Sequence, residues 1–107
     1  LDILVTTFNA KLKADLPDSA IVLNVDAYSA SKDEVANKAK YNLQDVTNTA
    51  CSLPLATSSS LTCNASNLNP LVNPNTAVFA DKVHPTPYGH LLFATYVLQA
   101  MTNKGWY

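Results

Sequence analysis

Histidine, glycine and cysteine are all scarce in this chain. Two of each occur among 107 residues: His84 and His90, Gly89 and Gly105, Cys51 and Cys63. Charge is scarce as well. Charged residues make up 14%, where roughly 25% is usual for a soluble domain. The net charge of −1 provides no electrostatic footprint for nucleic acid or an anionic membrane surface. No apolar run approaches the ~18 residues of a membrane-spanning helix. No internal repeat and no signal peptide are readable. The opening "LDILVTTFNAKL" reads as the interior of a longer protein, whose leader would lie further upstream.

The cysteines flank the Ser-, Thr- and Pro-rich stretch "CSLPLATSSSLTC". Zinc would need four ligands, and neither a second Cys pair nor a nearby His is there to complete the set. A CxxC redox motif is absent. Two readings remain for Cys51 and Cys63: a disulfide clipping a surface loop, or two unrelated free thiols. A disulfide would imply an oxidising compartment and contribute about 3 kcal/mol in the chain-entropy model. "NAS" at 64–66 matches a glycosylation sequon, which matters only in a eukaryotic secreted protein; we treat it as a chance match.

What is abundant is apolar and neutral polar. Apolar residues reach 48%, enough for the core of one domain. Asn (11), Thr (10) and Ser (8) supply much of the polarity, a surface suited to an exported protein. Residues 2–14 predict a helix, with Leu4, Val5, Phe8 and Leu12 on one face and Pro17 and Asp18 at its end. "AIVLNVD", 20–26, reads as a buried strand of a parallel sheet. A second helix is expected over roughly 31–41, with Ser31 as N-cap and Glu34 completing a capping box. From Gln44 to about Lys82 the chain reads as irregular, with "TAVFA", 76–80, a short extended piece. A loop of that length is usually functional. After it, Thr86 can cap and Pro87 open a helix that is apolar over much of its circumference and so expected to be largely buried. One buried strand cannot leave both edges unpaired. The fold class expected is therefore α/β, with the rest of a parallel sheet supplied by a missing or separate segment and residues 1–107 forming the C-terminal portion of one domain.

Both histidines fall within "FADKVHPTPYGH", 79–90. An aspartate three residues before an imidazole, with proline directly after it, can fold back in a tight turn. Asp81 would then accept a hydrogen bond from Nδ1–H of His84, fix the tautomer and leave Nε2 free as a general base. A metal site is the weaker reading: Asp81, His84 and His90 are three possible ligands, but the two histidines lie on opposite sides of a helix start. His90 reads as a packing or capping residue and Asp26 as a turn residue at the end of the strand, the edge where ligands bind in open sheets. Tyr28, Tyr41, Tyr88 and Tyr96 read as packing residues.

The string "DKVHPTPYGHLLFATYVLQAM" resembles the last sequence block of the SGNH hydrolases, also called GDSL lipases and esterases. That block runs Asp, two residues, His-Pro-Thr, two residues, Gly-His, then an apolar helix. Asp81, His84, Pro85, Thr86, Gly89 and His90 fall in register with it. Upstream, Asp26, Tyr41, Val46, Thr47 and Cys51 resemble the lipase and acyltransferase branch. The resemblance covers roughly 1–101, and 81–90 is its specific part. It implies a three-layer α/β/α fold and a Ser-His-Asp triad in which His84 is the general base and Asp81 its orienter. It implies ester hydrolysis or acyl transfer by a lipase, esterase or phospholipase, secreted, periplasmic or at the cell surface, with no metal or organic cofactor. The family's nucleophilic Ser, in a Gly-Asp-Ser block, and its oxyanion-hole Gly and Asn match nothing in this chain. The implied partner is therefore an N-terminal segment of the same enzyme carrying Ser, Gly and Asn. The substrate would be an ester or lipid, and the isolated 107 residues should lack esterase activity. The alternative is a non-catalytic hydrolase-like module for binding or surface display. A carbohydrate acetylesterase is a third reading within the same superfamily. The loop between the cysteines, with its "ATSSSL" tip, is a candidate lid or site of proteolytic activation.

Overall fold

The computed structural model describes residues 1–55 and 58–107; Ala56 and Thr57, at the start of the expected lid tip, lie outside the described residues. Among the described residues the chain is mixed α/β, with three α-helices and a two-stranded parallel sheet. It divides into two compact units, residues 1–26 with 97–107, and residues 27–96.

In the first unit, α1 covers Asp2–Asp15, as its spacing predicts. Lys11 and Asp15 pair across one turn at 2.6 Å, and the Leu16 amide closes the end on Leu12 O. The apolar face is nevertheless uncovered: no residue of α1 is buried, and Phe8 is 66% exposed. The segment 20–26 is a correction to the expected buried strand. Among the described residues it joins no ladder, and Ile21 is 87% exposed. Its backbone is held locally instead. Asp18 Oδ1 accepts from the Asn24 amide (2.6 Å) and from Asn24 Nδ2 (2.9 Å), and the same Nδ2 donates to Leu16 O (2.9 Å). β-Branched residues favour a strand only when a neighbour pairs with it. The two Asn24 donors, the backbone amide foremost, lower the pKa of Asp18.

In the second unit, α2 runs Ala27–Ala36 and continues into a 3₁₀ turn, Lys38–Tyr41. The helix begins four residues earlier than expected, directly after Asp26. Ser31 is therefore inside it and caps nothing, and Glu34 is buried rather than closing a capping box. Asn42 takes the left-handed conformation (φ 54°) that ends the turn, which Asn tolerates better than most residues.

The stretch read as irregular contains both strands of the sheet. β1, Asp45–Thr49, pairs in parallel with β2, Ala77–Phe79, in the register Asp45↔Ala77 and Thr49↔Phe79, with an irregularity between. The Ala50 and Cys51 amides extend the pairing onto Phe79 O and Ala80 O. β2 falls within the expected extended piece. β1 was missed because "DVTNT" has a single apolar residue. Ala50, Val72 and Ala77 form the buried cluster beside this sheet, with Leu43, Cys51, Val78 and Ala80 also buried.

α3, Pro87–Lys104, follows the turn after β2. Thr86 caps it as expected, accepting from the Gly89 amide (3.0 Å), and the same hydroxyl donates to Ala77 O (2.6 Å). One fully buried side chain thus joins helix start and strand. The expectation that α3 is largely buried fails: Gly89 is its sole buried residue, and Leu91 is 59% exposed. Gly105, at φ +84°, ends α3 with bonds from its own amide to Thr102 O and from the Trp106 amide to Met101 O, a Schellman stop that needs glycine's positive φ.

Candidate active site

The site is built on the turn between β2 and α3. Asp81 Oδ1 accepts from the Val83 amide (2.8 Å) and the His84 amide (2.7 Å). A carboxylate bonding its own backbone two and three residues on is the side-chain-to-backbone pairing that makes Asp a turn former. The Ala80 amide returns to His84 O (2.9 Å), and Phe79 bridges Pro85 in antiparallel fashion. The turn thereby folds the imidazole back over the carboxylate. His84 Nδ1 lies 2.8 Å from Asp81 Oδ2 and 3.1 Å from Oδ1. A further donor comes from far along the chain: the Ser60 amide, 2.6 Å from Oδ2.

Asp81 is 4% exposed yet accepts from three backbone amides and a ring nitrogen. Those donors hold its carboxyl far below the usual carboxylate range, the His84 amide contributing most, then Val83, with Ser60 and the His84 ring adding to it and burial opposing. A carboxylate gathered by several N–H donors stays ionised despite desolvation. It therefore selects the His84 tautomer with hydrogen on Nδ1, which leaves the lone pair on Nε2. The His84 side chain is 56% exposed, and no group among the described residues bonds Nε2. The pair can accept a proton at Nε2 and hold the resulting imidazolium against a fixed negative charge.

The other candidates sit apart from this pair. His90 is exposed on the first turn of α3, its amide bonded to Thr86 O, so it neither packs in the core nor caps with its ring. It borders a pocket of about 370 Å³ lined also by Cys51, Cys63, Pro85 and Thr86. Among the described residues no group of three His, Cys, Asp or Glu side chains could hold a metal ion, so Asp81, His84 and His90 do not assemble as ligands. Asp26 is exposed at the start of α2. Tyr41 donates a short hydrogen bond to Asp33, and Tyr88 Oη donates to Tyr41 O (2.7 Å). Lys32 lies over the Tyr28 ring. Cys51 and Cys63 form a disulfide, which settles the choice left open by their spacing.

Two features escaped sequence reasoning. The Ser60 contact is made by a backbone amide, a group every residue but proline carries, so residue type gives no signal for it. The Asp33 cluster with Tyr41, Lys40 and Asn37 gives no signal either, because charged and polar residues along a helix do not specify which of them meet. No protein-family model, no curated protein and no solved structure matches this chain.

Proposed function

We propose that this chain supplies the base and its orienting carboxylate to a serine ester hydrolase of the SGNH type. The observation that carries the reading is the buried Asp81 carboxylate set 2.8 Å from His84 Nδ1, on a histidine whose side chain is 56% exposed. In this reading a serine hydroxyl from an N-terminal segment of the same enzyme meets His84 Nε2. His84 takes the hydroxyl proton as the oxygen attacks an ester carbonyl, and Asp81 stabilises the imidazolium. His84 returns the proton to the leaving alcohol, and an acyl-serine remains. Water then releases the acid, or a second alcohol takes the acyl group, with His84 again as base. Glycine and asparagine donors on that segment would stabilise the oxyanion. Neither metal nor organic cofactor enters these steps. The substrate class is an ester or lipid, and the disulfide favours a secreted, periplasmic or cell-surface setting; no helix among the described residues is long and apolar enough to cross a membrane.

The test is steady-state hydrolysis of a short p-nitrophenyl ester by the full-length protein. His84→Ala should lower the turnover number by about 10⁴-fold or more, as removals of triad members do. Turnover within tenfold of the parent would reject the role. A full-length protein that hydrolyses no ester and resists fluorophosphonate labelling would point to the non-catalytic binding module instead.

A further inference from the structure

Three of the four groups that hold Asp81 come from its own turn. The fourth, the Ser60 amide, comes from 21 residues away, and it meets the same oxygen, Oδ2, that faces His84 Nδ1. Oδ1 is occupied by the Val83 and His84 amides. The orientation of Oδ2 toward the ring is thus shared between the ring itself and a distant amide.

That amide is held by a hydrogen-bonded turn that ends at a covalent bridge. Ser60 opens a 3₁₀ turn, Ser60–Thr62, in which Ser59 Oγ accepts from the Leu61 amide (3.3 Å) and the Cys63 amide donates to Ser60 O (2.9 Å). Asn67 Nδ2 steadies the same turn at Thr62 O (3.0 Å). Cys63 is bonded to Cys51, which is buried and whose amide donates to Ala80 O (3.0 Å), the residue before Asp81. A closed circuit results. It leaves Asp81 through Ala80, crosses to Cys51, passes the disulfide to Cys63 and Ser60, and returns to Asp81 at Oδ2.

We infer that the Cys51–Cys63 disulfide and the Ser60 amide form a positioning device that fixes the Asp81 carboxylate toward His84. Ser60 and the cysteines are positioning residues, since they reach the ring only through Asp81. The consequence for turnover rests on the proposed hydrolase reading; the effect on the ring does not.

Ser60→Pro isolates the contact. Ser59 is extended (φ −91°, ψ 146°), the conformation favoured before proline, and Ser60 is the first residue of its 3₁₀ turn, where the fixed φ of proline fits. The substitution removes the N–H and leaves the disulfide intact; Ser60→Ala keeps the N–H and loses only the hydroxyl. The measurement is NMR of the oxidised full-length protein, following solvent exchange of the His84 Nδ1 proton. In Ser60→Pro this exchange should quicken by about tenfold, the loss of one hydrogen bond to a charged group. Ser60→Ala should leave it unchanged. The paired variant Cys51→Ala with Cys63→Ala should quicken exchange of both the Ser60 amide and the His84 Nδ1 proton. Unaltered His84 exchange in Ser60→Pro overturns the inference, whatever the cysteine variant does, because Ser60→Pro removes the contact and leaves the bridge in place. None of these readings needs a substrate, so intact coupling in a protein without esterase activity would sink the functional proposal and spare this one. In an active enzyme, Ser60→Pro should lower kcat about tenfold with KM unchanged.

Discussion

Two aspartates of this chain are held as anions by opposite means. Asp81 is buried and gathers backbone amides, whereas Asp33 lies on the surface of α2 and gathers side chains. The Tyr41 hydroxyl is the largest influence on Asp33, followed by Lys40 and Asn37, and together they lower its pKa from 3.8 to about 2. The sign of the linkage is set by that lowering. The folded state binds the proton less tightly than the unfolded state, so the contribution is complete above the unfolded value and lost as pH falls through the folded one. Thermal unfolding followed from pH 5 to pH 2 should show the midpoint falling in this window. Asp33→Asn should flatten the fall; an unchanged slope would mean the cluster does not couple to folding. Next to it, Glu34 is pushed the other way, raised first by burial and then by the Asp33 charge. Its ionisation opposes folding as pH rises. Neither effect was readable in advance, since "DE" within a helix specifies no partners.

At the scale of elements, the junction between β2 and α3 concentrates most of the geometry. Gly89 lies in the first turn of α3 against the strand. A Cβ there would stand 2.9 Å from both the Val78 carbonyl oxygen and Pro85 Cβ. The first of these is backbone and cannot swing aside. Gly89→Ala should therefore cost about 1–3 kcal/mol in chemical denaturation, by overpacking, against the few tenths to 1 kcal/mol gain that alanine normally brings to a helix interior. A neutral or stabilising outcome would show that helix and strand separate freely. This junction was the most legible part of the chain: Thr86 as cap, Pro87 in the first turn, the extended "TAVFA" and the Asp81–His84 turn were all expected from local residue chemistry. Each depends on contacts spanning a few residues, and short-range chemistry is what a sequence displays directly. β1 was not legible, because "DVTNT" forms a strand by pairing with residues some thirty positions away rather than through its own pattern.

Across the whole molecule, apolar surface is distributed unevenly. The buried cluster lies in residues 27–96, whereas α1 buries nothing. Substitutions on α1 should accordingly be mild. Phe8→Ser should alter stability by no more than about 0.5 kcal/mol, as surface changes do, whereas Val72→Ala in the buried cluster should cost about 1–3 kcal/mol. A cost at Phe8 equal to that at Val72 would mean that this face is covered in solution.

Spacing and turn chemistry by themselves determined the start of α3 and the pairing of Asp81 with His84, both of which follow from groups close together along the chain; the mixed α/β class was expected from a segment that forms no strand, and the sheet lies elsewhere. Only the tertiary structure decided that Cys51 and Cys63 are joined, that the Ser60 amide completes the hold on Asp81, and that "AIVLNVD" is not a strand here. The physical reason is the same in each case. A disulfide, a distant backbone donor and a strand's hydrogen bonds each require a specific partner brought near by folding, and no residue carries the identity of that partner within itself.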